Sequence, residues 1–409
     1  MYLMKSELNK IFDSFDNNRI FNDKSVLQSN YRPDEIPHRE EQIKQLASIL
    51  APVLRGERTS NLFLYGKTGT GKTLSILYLK DELIKRSKLN GNEGSIPLNI
   101  EYLNCKLKKV SDTEYRILAE LIRKLGGKIS DTGLPTETVY NKFIELVDSK
   151  SQFLLLILDE IDQAVKKISS DFLYNLTRLN SELSRTQIGI IGISNDLTFL
   201  DGIDPRVRSS LSEEEIVFPP YNAIQLQEIL NTRSKIAFKP GVVEEGVVQK
   251  CAAFAAREHG DARRALDLLR VAGELAERDG VSKILLKHID GANVKIERDK
   301  ILDVIKTEPK QFQYVLHSII SISEKNNGEP FFTGDVYNHY QDVCLKNNSE
   351  VLTQRRVGDI IQEFDMLGII NVRVISKGRG GRMREIKLAI SKSIIEKAKQ
   401  IIEESLDYR

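Results

Sequence analysis

NLFLYGKTGTGKT, residues 61–73, decides the fold. Leu62, Phe63, Leu64 and Tyr65 predict a short buried strand, and Gly66, Gly69 and Gly71 interrupt it just ahead of Lys72 and Thr73. Glycines at that spacing let successive backbone N–H groups turn inward onto a polyphosphate, with Lys67, Thr68 and Thr70 completing the loop. Lys72 then carries a charge to the β and γ phosphates, and the Thr73 hydroxyl is a ligand for Mg²⁺. A helix is predicted over 72–84, its positive end directed at the anion.

A second acidic signal completes the first. Residues 153–158, FLLLIL, form a continuous apolar run, the pattern of a strand covered on both faces, and Asp159, Glu160, Ile161 and Asp162 follow it. Carboxylates at the carboxyl end of a buried parallel strand sit in the crevice where such sheets bind ligands. Asp159 is therefore the candidate to hold Mg²⁺, and Glu160 the candidate to polarise the attacking water. Residues 98–104 and 187–193 read as further strands. The latter delivers Ser194, Asn195 and Asp196, where Asn195 either orients water or touches the γ phosphate, or serves only as turn chemistry. Upstream, Tyr31, Pro33, Ile36 and His38 precede an amphipathic helix carrying Ile43, Leu46, Ile49 and Leu50. They either wrap an adenine base or seal the domain edge, and Tyr221, after Pro219-Pro220, joins them as a nucleotide-binding candidate.

Composition narrows the classes. A chain of 409 residues with 41% hydrophobic content supports more than one core. The longest apolar run is too short to span a bilayer and the first ten residues, MYLMKSELNK, contain no apolar signal core, so a cytoplasmic protein without a membrane partner is expected. Cys105, Cys251 and Cys344 lie far apart, which suggests neither a zinc site nor a disulfide framework but small core residues. The formal net charge is only +2, so local clusters must carry any affinity for nucleic acid.

Past Pro219-Pro220 the pattern is helical. Asn222 caps a helix beginning at Ala223, with Gln225 placed for the reciprocal contact, and a later helix places Arg263 and Arg264 in its first turns above an apolar face of Ala265, Leu268, Leu269 and Ala272. Basic side chains near a helix start oppose its dipole, a cost an anion removes, which motivates Arg263 as a contact to ATP. Further on come three helices, a hairpin and a helix. Thr353 opens a helix with Val357, Ile360, Ile361, Phe364 and Leu367 on one face and Gly368 as its stop, so that Gln354, Arg355 and Arg356 project from the amino end, where recognition helices meet bases. The hairpin after it carries Arg373, Lys377, Arg379, Arg382, Arg384 and Lys387 against the single acid Glu385, a charge suited to phosphates or a minor groove. Arg206 and Arg208, near the edge of the first domain, either enter a neighbouring subunit's site or stay solvated.

GKTGTGKT, LLLILDEID, GISND, DPRVRSSLSEEEI and GDARRALDLLR, in this order, resemble the AAA+ ATPases. With the C-terminal winged helix they resemble the archaeal replication initiators of the origin-recognition-complex and Cdc-six type, over nearly the whole chain. The resemblance implies an α/β fold: a phosphate-loop parallel sheet with a helical lid and a winged-helix domain. The expected divisions are an N-terminal arm (1–30), a nucleotide-binding base (31–220), a lid (221–283), a helical connector (284–305) and the winged helix (306–409). It also implies binding of double-stranded origin DNA with ATP or ADP and Mg²⁺, slow hydrolysis, nucleoid association, and partners that include the replicative helicase and paralogous or identical initiator subunits. Matched by position, Lys72 and Thr73 belong to Walker A, Asp159 and Glu160 to Walker B, Asn195 to sensor 1, Arg206 to the arginine finger and Arg263 to sensor 2. A DNA-contacting helical insertion would fall within 106–125, where Lys108, Lys109 and Arg116 are the candidates. Two other readings stand beside this one: a signalling ATPase with a winged-helix tail, and a DNA-binding protein with a structural ADP that is never hydrolysed.

Overall fold

Alternation along buried strands builds the first half of the molecule. In the computed structural model, which describes residues 19–89, 96–106, 113–130, 133–168, 171–211, 213–376 and 382–405, five strands run parallel. They are β1 (Asn61–Tyr65), β2 (Leu98–Asn104), β3 (Gln152–Asp159), β4 (Thr186–Ser194) and β5 (Glu213–Val217), in the order β2-β3-β4-β1-β5. Leu62, Leu64, Phe153, Leu155 and Ile157 face one side, packed under helices α1 (Glu40–Leu50) and α2 (Lys72–Leu89). Phe63, Tyr65, Leu154, Leu156 and Leu158 face the other, against α3 (Glu114–Lys124), α4 (Thr136–Val147) and α6 (Asp171–Glu182), with α5 (Ile161–Lys167) following β3 directly. Both faces are covered, which is why β3 reads as an unbroken apolar run. This is the α/β class the sequence predicts.

Some boundaries differ from the expectation. Helix α2 continues through Leu89, not Ile84. Pro135 is the N-cap residue of α4, with its missing N–H just outside the first turn. Strand β5, which the sequence did not announce, is an acidic edge strand.

Helix α7 (Pro205–Leu211) precedes β5, and beyond Pro219-Pro220 come α8 (Ala223–Ala237), α9 (Val247–Arg257) and α10 (Ala262–Arg278). The predicted reciprocal cap forms at α8: Asn222 Oδ1 accepts from Gln225 N at 2.9 Å, and Gln225 Oε1 accepts from Asn222 N at 3.0 Å. The described part of the N-terminal arm belongs to this helical layer. The Phe21 ring lies 4.8 Å from that of Phe238, Lys24 reaches Glu274 at 2.7 Å, and the Ile20 N–H donates to Glu277 at 3.1 Å. Its role, unreadable in the sequence, is to complete the lid's core.

The chain divides into two compact units, 1–289 and 290–409, within helix α11 (Leu286–Thr307). The second unit comprises α12 (Lys310–Lys325), β6 (Phe331–Phe332), α13 (Thr333–Lys346), α14 (Gln354–Met366), β7 (Ile370–Ser376), β8 (Arg382–Leu388) and α15 (Lys392–Ser405), its sheet ordered β6-β8-β7. The Phe312 ring meets that of Phe364 edge-on at 5.2 Å within a core that includes Ile319, Val336, Ile360, Ile386 and Ile402. Leu367 departs from its expected place: it is 38% exposed, because the helix ends there and Gly368 turns the chain at φ +70°. All three cysteines are buried and free. Among the described residues no helix is long and apolar enough to cross a membrane.

Candidate functional site

Strand register brings the first unit's functional residues to one level. Tyr65 pairs with Ser194 and with Val217, Asp159 pairs with Ile193, and Asn104 pairs with Asp159. The loop after β1, the carboxylates after β3 and Asn195 after β4 therefore emerge side by side.

The loop is held by contacts that only small residues permit. Gly71 sits at φ +91°, and a Cβ there would stand 2.9 Å from the Tyr221 hydroxyl. Gly69, at φ +74°, would place a Cβ against the Asp261 carboxylate at 1.7 Å, so any larger residue would push the lid helix α10 away. The Ala262 N–H also donates to Gly69 O at 3.2 Å. Beneath the loop lies Arg39, 2% exposed, donating to Thr70 O at 2.8 Å, His38 O at 2.7 Å and Pro219 O at 2.6 Å, with its guanidinium 3.8 Å from the centre of the Tyr221 ring. Three carbonyls and an aromatic face replace the water this cation gives up.

Lys72 is buried, and its ammonium donates to Gly66 O at 2.6 Å, Lys67 O at 2.9 Å and Asn195 Oδ1 at 2.9 Å. Burial pulls its pKa down to about 8; Asp159 opposes that shift and Arg263 adds to it. The Asp159 carboxylate is equally saturated, with Thr73 Oγ1 donating to Oδ2 at 2.8 Å, the Tyr102 hydroxyl to the same oxygen at 2.7 Å, and the Glu160 N–H to Oδ1 at 2.9 Å. A hydroxyl and a carboxylate in direct contact are a hard-oxygen donor pair of the kind Mg²⁺ takes when phosphates and water complete its shell. The described residues contain no cluster of three or more His, Cys, Asp or Glu fit to hold a metal by themselves. Burial, with Asp159 beside it, pushes the Tyr102 phenol up, so it stays a donor. Glu160 adopts a left-handed backbone (φ 54°, ψ 42°), a strained choice for a non-glycine residue costing about 1–3 kcal/mol, and its carboxylate lies 3.2 Å from the Lys106 ammonium.

Above these groups opens a cavity of about 730 Å³, the size of a nucleotide site. Thr68, Gly69, Thr70, Gly71, Lys72, Thr73, Asp159, Glu160, Asn195 and Arg263 line one end, Tyr31, Pro33 and Ile36 line another part, and Tyr221 joins them. Gly66 and Lys67 stay outside the lining and contribute carbonyls to Lys72 instead. His38 is a correction: its backbone is left-handed (φ 63°) and its ring pairs with Glu228 on α8 at 2.9 Å, away from the cavity. Arg264 turns aside to Glu258 at 3.0 Å. Arg206, exposed at the start of α7, is also outside the lining. Tyr102 and Arg233 also line the cavity and Arg39 braces the loop, three positions that no local motif marks.

In the second unit Gln354, Arg355 and Arg356 are exposed in the first turn of α14, capped by the Thr353 hydroxyl; Arg356 approaches Asp359 at 3.7 Å. Arg384 is exposed on β8, and its guanidinium would lie 4.0 Å from a Cβ on Gly358, one turn along α14 from Gln354 and Arg355. Helix and hairpin thus share a basic surface. Lys108, Lys109, Lys377 and Arg379 lie outside the described residues, as does the Arg382 side chain. Arg116 is half-buried in the first turn of α3.

Comparison with known proteins matches each part. A family model for the AAA ATPase domain covers residues 35–191, one for the Cdc6 AAA+ ATPase-type lid domain covers 227–294, and one for the CDC6 C-terminal winged helix domain covers 303–398. The chain is 52% identical to the ORC1-type DNA replication protein of Thermococcus onnurineus over 94% of this chain and 92% of that one. It is 51% identical to the corresponding protein of Pyrococcus abyssi, over 94% and 91%. The structure of the Aeropyrum pernix ORC1 protein in complex with DNA is similar with a TM-score of 0.82 and 41% identity, covering 94% of this chain and 97% of that one.

Proposed function

Because this chain belongs to the family of ORC1-type DNA replication proteins, we propose that it is a replication initiator that binds double-stranded origin DNA while holding ATP or ADP, hydrolyses ATP slowly and promotes helicase loading. The observation that carries the nucleotide half is the convergence of Lys72, Thr73, Asp159, Asn195 and Arg263 on one cavity. Lys72 exchanges its loop carbonyls for the β and γ phosphates, while Asn195 keeps its ammonium aimed. Thr73 and Asp159 would hold Mg²⁺, which would supply positive charge beside the transferring phosphoryl group. Glu160 parts from Lys106 and takes a proton from water as its oxygen bonds to the γ phosphorus and the bond to the bridging oxygen breaks, releasing ADP and phosphate. Arg263 clamps from the lid, and Arg206 or Arg208 serves a neighbouring initiator subunit's site.

The DNA half rests on the basic surface shared by α14 and the hairpin, and on the DNA held by the Aeropyrum relative. Residence at the nucleoid follows from that binding. Two measurements test the whole. Glu160→Gln should keep ADP affinity within about twofold and lose turnover by roughly a hundredfold or more, the usual weight of a general base; unchanged turnover removes Glu160 from this role. Occupancy mapped across the source chromosome should concentrate at discrete origins, and an even spread would favour a signalling-type ATPase whose tail binds without sequence preference.

A further inference from the structure

Arg233 on α8 is one of the few buried charged side chains of the first unit, 8% exposed, and its Nη1 meets no acceptor among the described residues. It lines the nucleotide cavity with Ile229, Thr232 and Ile236, spaced i, i+3, i+4 and i+7 on one face of the helix. Its guanidinium stands over the Tyr31 ring, 4.4 Å from the centroid. Position along α8 tells which end of a nucleotide it meets. Helix α8 is capped by Asn222, next to the Tyr221 that touches the phosphate loop, and eleven residues on, at 1.5 Å each, Arg233 lies roughly 16 Å down the axis. That separates it along the helix from the end beside the phosphate loop and sets it with Tyr31, Ile229 and Ile236 in the lining.

We propose that Arg233 is a base-recognition residue, donating through Nη1 to a ring nitrogen on the acceptor edge of the adenine while Tyr31 supports the guanidinium from its other side. The inference rests on the reading of this cavity as an adenine-nucleotide site and goes beyond it by assigning the group that reads the base. The guanidinium offers donors only and the purine edge offers acceptors, so the pairing needs no change of protonation on either side. It also gives a reason for burying a cation short of partners: the missing acceptor comes with the ligand. Since Arg233 and Arg263 belong to the lid, base and phosphate ends would each be tied to the same helical layer.

The test compares ADP with inorganic tripolyphosphate, which carries the phosphates and no base, by titration calorimetry on the full chain. Arg233→Met should weaken ADP binding roughly tenfold or more, the weight of a hydrogen bond to a charged donor, and leave tripolyphosphate within twofold of wild type. Arg233→Lys, which keeps the charge but not the fork, should fall between and serves where the methionine variant does not fold. Equal losses for both probes, or no loss for ADP, would overturn the assignment and leave Arg233 as packing for Tyr31. A wild-type protein that binds tripolyphosphate but shows no gain for ADP would overturn the adenine reading of the cavity itself, and this inference with it.

Discussion

At the scale of single residues, Lys72 makes a prediction through its protons. With its pKa pulled down to about 8, the ammonium is mostly charged below pH 8 and mostly neutral above it. A polyphosphate favours the charged form and raises that pKa, so binding above pH 8 must take up a proton and binding well below it need not. Calorimetry of ADP binding at pH 9, in buffers of different ionisation enthalpy, should report uptake approaching one proton, with affinity falling as pH rises. Lys72→Met should abolish the uptake. Tyr102 makes a second prediction. Its hydroxyl is one of three donors on Asp159, so Tyr102→Phe removes about 1 kcal/mol of orientation and should raise the magnesium concentration needed for half-maximal turnover several-fold while magnesium-free ADP binding holds. Lys72, Thr73, Asp159 and Glu160 were legible in the sequence because loop and strand end present them locally, at fixed spacing from a glycine or an apolar run. Arg39, Tyr102 and Arg233 were not, because each meets its partners far along the chain: Arg39 at Thr70 and Pro219, Tyr102 at Asp159, and Arg233 at Tyr31. For His38 sequence proximity leaves two places open, beside the base or at the domain edge, and its left-handed backbone and pairing with Glu228 turn the ring from the cavity.

At the scale of elements, the helix that carries Arg233 depends on its first turn. Asn222 and Gln225 satisfy each other's backbone N–H groups, and Asn222→Ala removes one side of that exchange at a cost of about 1 kcal/mol. The expected result is faster hydrogen exchange in the first turns of α8 and weaker ADP binding, with exchange in the second unit unchanged. Protection of α8 at wild-type level would show that lid packing, rather than the cap, fixes this helix. The same box was readable beforehand because capping is chemistry within four residues. The acidic strand β5 was not. As an edge strand it has a neighbour on one side only, so Glu214 and Glu215 remain wet while Ile216 reaches the core, and a sequence of glutamates gives no apolar alternation to announce it. The two-residue strand β6 is likewise too short for any period, and the arm around Phe21 is polar enough to hide its contribution to the lid.

At the scale of the whole molecule, a chain whose charges nearly cancel can bind a duplex only through uneven placement. The formal net charge is +2, yet Arg355 and Arg384 are exposed on neighbouring elements of the second unit, with Gly358 between helix and strand leaving room for the guanidinium. Each phosphate contact releases counterions and contributes about 0.9 to the slope of log affinity against log salt. Replacing both arginines by alanine should therefore flatten that slope by roughly 1.8 and weaken binding more at low salt than at high salt. The formal charge would drop to zero, so a control is needed for a general loss of attraction. Replacing two lysines of the first unit's exposed α2 surface, Lys85 and Lys88, makes the same change of net charge without touching this face. A slope that flattens equally in both double variants would mean that duplex affinity follows total charge. A slope that moves only with Arg355 and Arg384 places the duplex on the surface where α14 and the hairpin meet, while turnover without DNA, whose proposed groups lie in the first unit, stays at the wild-type rate.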